Sequence, residues 1–65
     1  MYAYTLHEDR PRYFKTKPAA MKALQKDTED YVLVDCNEEG FVFSFSFEIE
    51  GYEIEATIER IVPED

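Results

Sequence analysis

The stretch FVFSFSFEIEGYEIEATIER, residues 41–60, decides the fold. Phe41, Phe43, Phe45, Phe47 and Ile49 stand at every second position, with Val42, Ser44, Ser46 and Glu48 between them. Successive side chains on a strand point to opposite faces, so this spacing predicts a strand with one aromatic face. After Glu50-Gly51 the alternation resumes, with Tyr52, Ile54, Ala56 and Ile58 set against Glu53, Glu55, Thr57 and Glu59. A two-residue turn at Glu50-Gly51 pairs Ile49 with Tyr52, Phe47 with Ile54, Phe45 with Ala56 and Phe43 with Ile58, all apolar. The same register sets Glu48 opposite Glu53, Ser46 opposite Glu55 and Val42 opposite Glu59. A slip of one residue would mix the two faces, which specifies the register strongly. Glu is not the residue a type I′ turn favours at its first position, and a longer loop would keep the same pairs.

Working outward, Tyr31 to Cys36 is apolar and β-branched and reads as the preceding strand. Asn37-Glu38-Glu39-Gly40 reads as the hairpin loop between them, with Gly40 free to take positive φ. These three strands form a meander. Upstream, Thr16 can cap a helix and Pro18 fits its first turn, where a missing N–H costs nothing. Ala19, Ala20, Met21, Ala23 and Leu24 follow as helix formers with one apolar face, predicting a helix from about Lys17 to Gln25. Its natural seat is the row Phe43, Phe45, Phe47, Ile54 and Ile58. At the N-terminus, Met1 to His7 alternates Tyr2, Tyr4 and Leu6 against Ala3, Thr5 and His7, which predicts a strand. Glu8 to Pro11 has turn chemistry, and Arg12 to Lys15 reads as a short returning strand. The expected fold is α+β, one helix packed on an antiparallel sheet, in a single domain over residues 1–65.

A chain of 65 residues holds one small core. At that size only about 60% of the unfolded surface is buried and stability is marginal. Cys36 is the only cysteine, so no internal disulfide supports the core, and a lone thiol beside Val32 and Val34 is expected to be buried in a reducing compartment. Packing of the ten aromatic residues, five Phe and five Tyr, must do that work, and a homodimer would extend it. No run of about 18 apolar residues is present, and Met1 to Leu6 lacks the basic and apolar pattern of a signal peptide. A cytoplasmic protein is expected, with no membrane partner.

The net charge of −8 is unevenly placed. Through Asp30, six basic residues (Arg10, Arg12, Lys15, Lys17, Lys22, Lys26) face five acidic ones, a balance of +1. From Tyr31 onward, ten acidic residues face Arg60 alone, a balance of −9. That field excludes direct binding to DNA, RNA or anionic membranes and draws basic partners. Like charges opposed across a sheet cost a few tenths to about 1 kcal/mol. Glu48, Glu50, Glu53, Glu55 and Glu59 accept that cost with no lysine among them. Such a row also serves solubility and keeps edges apart, but ordinary solvated faces mix both signs. Carboxylates at i and i+2 on a strand stand about 6.5–7 Å apart. Successive phosphates are about 3.4 Å apart along a DNA axis and farther along the winding backbone. A carboxylate-edged sheet can therefore stand in for a phosphate strand before Lys and Arg groups.

Other constellations carry less. Asp35-Cys36-Asn37-Glu38-Glu39-Gly40 begins like a calcium loop, yet the bidentate Glu required at position twelve falls on Ser46. His7 has no nucleophile near it in sequence. Paired carboxylates suit glycoside hydrolysis, but so short a chain has little room for a sugar pocket. The expectation is a protein with no enzymatic activity, metal or cofactor.

In size, charge and architecture the chain resembles the phage-encoded inhibitors of bacterial defence, among them DNA-mimicking anti-CRISPR proteins, anti-restriction proteins and uracil-DNA glycosylase inhibitors. The residues carrying the resemblance are Glu48, Glu50, Glu53, Glu55 and Glu59, with Asp35, Glu38 and Glu39 at the neighbouring loop. It implies a stoichiometric inhibitor that occupies the nucleic-acid groove of a basic protein or complex such as a CRISPR effector. The basic stretch from Arg10 to Lys26 departs from a uniformly acidic mimic. The rival expectation is a small adaptor that binds another protein through an edge strand and exposed tyrosines, drawn from Tyr2, Tyr4, Tyr13, Tyr31 and Tyr52, with the acid serving solubility.

Overall fold

The computed structural model describes residues 1–61. Glu64 and Asp65, counted above in the C-terminal charge, lie outside the described residues. The chain runs β1 (Tyr2–Leu6), β2 (Arg12–Phe14), α1 (Lys17–Asp27), β3 (Val32–Glu39), β4 (Val42–Ile49) and β5 (Tyr52–Arg60). The strands form one antiparallel sheet in the order β2-β1-β5-β4-β3, so the fold is α+β with one helix on one face.

The β4–β5 register is the expected one at every pair, from Ile49–Tyr52 to Val42–Glu59. Glu50 and Gly51 both take positive φ, 49° and 83°, as a type I′ turn requires. The preceding turn differs from expectation. Pairing continues through Glu39–Val42, leaving Gly40-Phe41 as a two-residue turn in place of a loop over residues 37–40. Gly40 at φ 60° followed by Phe41 at negative φ is the pattern of a type II′ turn.

Thr16 caps the helix with extended backbone, its Oγ1 accepting from the Ala19 N–H at 3.3 Å. At the other end, Thr28 is buried and donates both its N–H (3.0 Å) and its hydroxyl (2.7 Å) to the Leu24 carbonyl. The helix runs to Asp27, one half-turn past the expected end. A tertiary contact holds that last half-turn. The Tyr4 hydroxyl donates to Asp27 Oδ2 at 3.0 Å, and Arg12 forms an ion pair with the same oxygen. The Arg12 guanidinium also lies 5.0 Å from the Tyr4 ring centroid. Burial, and then the hydrogen bond to Asp27, push the Tyr4 hydroxyl up to about 12.

The core is Tyr4, Ala20, Leu24, Phe47, Ala56 and Ile58, with Phe43, Phe45 and Tyr31 packed half-buried against it. The helix therefore meets part of the expected row but is not centred on it: it packs against β1, β2 and β5. Dimensions explain why. Eleven helical residues span about 16 Å and cover a width of about 10 Å, or two to three strands spaced about 4.8 Å apart. With β1 inserted beside β5, the helix is used up before it reaches β3. All eight β3 residues are exposed, Cys36 among them, which overturns the expected buried thiol.

Candidate acidic interface

Strand pairing places side chains directly opposite one another on a common face, so the register fixes which residues meet. One face carries the helix. The other is open and consists of four cross-strand rows. Val32, Glu48 and Glu53 form the first, and Asp35, Ser46 and Glu55 the second. The third is Asn37, Ser44, Thr57 and Thr5, wholly neutral. Glu39, Val42, Glu59, Ala3 and Tyr13 make the fourth.

Six carboxylates therefore share the open face: Asp35, Glu39, Glu48, Glu53, Glu55 and Glu59. Glu50 stands at the turn beside Glu48 and Glu53. Rows are about 6.8 Å apart along the strands and strands about 4.8 Å apart, so the acidic field extends roughly 20 Å by 10 Å. It has two charged ends divided by a row of hydroxyl and amide groups. No Lys or Arg occupies any of these paired positions. Arg60, the one cation of the C-terminal half, pairs with Tyr2 on the helix face, its guanidinium 5.7 Å from the Phe41 ring. Among the described residues, no open-face carboxylate is within salt-bridge distance of a cation.

Glu38 does not belong to this face. It pairs with Phe43 on the helix side and lines a cleft of about 310 Å³ with Tyr2, Lys17, Phe41 and Arg60. The reason is strand parity: with residues 37–39 in a strand and not a loop, Glu38 points away from Asn37 and Glu39. The same geometry removes the calcium loop. Asp35 to Glu39 is extended strand, and among the described residues no cluster of three acidic, His or Cys side chains could hold a metal ion.

Two further features escaped sequence reasoning. The Tyr4–Asp27–Arg12 cluster joins residues from three elements and borders a second cleft of about 500 Å³, with no local signal to reveal it. The exposure of β3 is the other. Of the five tyrosines, Tyr4 is buried, Tyr2 and Tyr31 are half-buried, and Tyr13 and Tyr52 are exposed. The helix is neither long nor apolar enough to cross a membrane. No protein-family model, curated protein or solved structure matches the chain.

Proposed function

We propose that the chain is a stoichiometric, non-catalytic inhibitor whose open acidic face occupies a basic nucleic-acid-binding site on a bacterial defence complex such as a CRISPR effector. One observation carries this reading. At its paired positions the open face carries six carboxylates and no cation, while the basic residues Arg12, Lys17 and Arg60 lie with the helix side. A surface that only needed solubility would gain cross-strand pairing energy from interleaved lysines, and this one forgoes it. Glu50 supports the same reading. It holds a positive-φ position where Asn or Gly is preferred, which adds a carboxylate at the turn next to Glu48 and Glu53 at a conformational cost.

The partner would receive the sheet in a groove lined by Lys and Arg, whose guanidinium groups pair bidentately with carboxylates as with phosphates. The test is recovery of bound protein from the lysate of a bacterium carrying defence systems. The native chain should retain a nuclease complex, and the folded double variant Glu48→Lys, Glu53→Lys should not. Equal retention by that variant would remove the acidic hairpin from the interface.

A further inference from the structure

The sheet has two unequal edges. The β2 edge is three residues long and lies beside the helix. The β3 edge is eight residues long, and Val32, Leu33 and Val34 are 63%, 53% and 50% exposed. An edge strand presents a row of unpaired N–H and C=O groups, a template for one more strand. We infer that β3 is a strand-addition site for an extended protein segment that alternates cationic and apolar residues. This goes beyond the proposed function, because it requires a cationic extended segment and not a nucleic-acid-binding partner.

The chemistry of the occupant follows from the two sides of β3. Toward the open face stand Asp35 and Glu39, continuous with the rows that hold Glu55 and Glu59. Cations at alternate positions of an added strand would meet them. Toward the helix face stand Leu33, Cys36 and Glu38, the first two backed by Phe47 and Phe45 on the next strand. Apolar side chains at the intervening positions would extend that partly covered aromatic row. Strand addition draws affinity from main-chain hydrogen bonds and specificity from the alternate side chains, and both elements are present here.

A second copy of this chain fits poorly at the same edge. Pairing β3 with itself would join two molecules of net charge −8. It would also merge the two open faces into one sheet carrying twelve carboxylates, six from each copy. The acidic residues Asp35, Glu38 and Glu39 are a device that keeps edges from pairing with their own kind. They guard β3 against itself and leave it open to a cationic strand.

The test uses the full chain and two synthetic eight-residue peptides of identical composition, one alternating Arg and Val, the other with four Arg followed by four Val. At fixed ionic strength the alternating peptide should bind at least tenfold tighter. It should also slow amide hydrogen exchange along β3 and not along β2. Leu33→Lys, at an exposed position, should weaken the alternating peptide at least tenfold without unfolding the protein. Equal binding of both peptides with no protection of β3 would show polyelectrolyte attraction alone and overturn the inference. So would a concentration-dependent dimer that protects β3 and excludes the peptide. If the peptide binds as expected but the protein never competes with DNA for a basic partner, the inhibitor reading fails and this one stands.

Discussion

The two halves of the sheet share the same apolar patterning and differ in what covers them. In the β2-β1-β5 half, Tyr4, Ala56 and Ile58 lie sealed beneath Ala20 and Leu24 of the helix. In the β4-β3 half, a strand that begins Val32-Leu33-Val34 has no layer over either face. One eleven-residue helix is too small for a five-stranded sheet, so stability concentrates in one half and accessible surface in the other. Under the proposed function, the sealed half folds the chain and the other half presents the open edge, while the acidic rows run from β3 across to β5 on the face away from the helix.

Truncations on the two sides should differ widely in their cost. Leu24→Ala and Ile58→Ala each remove a fully packed side chain and should cost about 2–5 kcal/mol, enough to unfold a domain this small. Leu33→Ala, at a position 53% exposed, should cost less than about 1 kcal/mol. Denaturant unfolding curves of the three variants would decide it, and a Leu33 cost equal to that of Leu24 would mean β3 is covered after all.

The next effect is confined to the sealed half. Tyr4 has its hydroxyl pushed up to about 12 from an ordinary 10.0, so the folded state holds the proton more tightly than the unfolded chain. The stabilisation is complete below pH 10 and is lost as pH rises through 12. At about 1.4 kcal/mol per unit the loss is roughly 2–3 kcal/mol. Lys and other Tyr residues titrate in the same range, so the informative quantity is the stability of native protein minus that of Tyr4→Phe. That difference should shrink steadily between pH 10 and pH 12. A constant difference would show that burial and Asp27 do not hold the hydroxyl protonated in the folded state.

Much of the β4–β5 hairpin was legible because its signals are local. A period of two with Phe and Ile on one side and Glu, Ser and Thr on the other admits one register, and Gly51 marks the turn. Thr16 and Pro18 likewise mark the helix start. What failed to show depends on distant parts. Val32-Leu33-Val34 has the composition of a buried strand, but apolar composition reports what a residue would gain from cover, not whether cover exists. Asp27 reads as a polar helix end until Tyr4 and Arg12 arrive from β1 and β2. The misplaced loop over 37–40 had a simpler cause. Polar Glu38 and Glu39 suggest a loop, yet an edge strand tolerates charge on both faces because both are wet. That one shift moved Glu38 out of the candidate interface.

A smaller change is expected at the turn between β4 and β5. Glu50→Asn relieves an unfavourable positive-φ residue and should stabilise the hairpin by about 0.5–1 kcal/mol. Under the inhibitor reading the same change should weaken the basic partner, so stability and affinity move in opposite directions. Calorimetric unfolding together with a binding titration would show whether they do.

Competition for the partner's basic groove separates mimicry of nucleic acid from mere acidity. With the recovered partner held at fixed concentration, increasing amounts of its own DNA duplex should displace the protein in a competitive pattern. Affinity for the protein should fall with added salt, but less steeply than affinity for the duplex, since a folded protein releases fewer condensed counterions. Substituting Lys or Arg in the partner's groove should weaken both ligands together. A ternary complex of partner, duplex and this protein, with DNA affinity unchanged, would contradict the account.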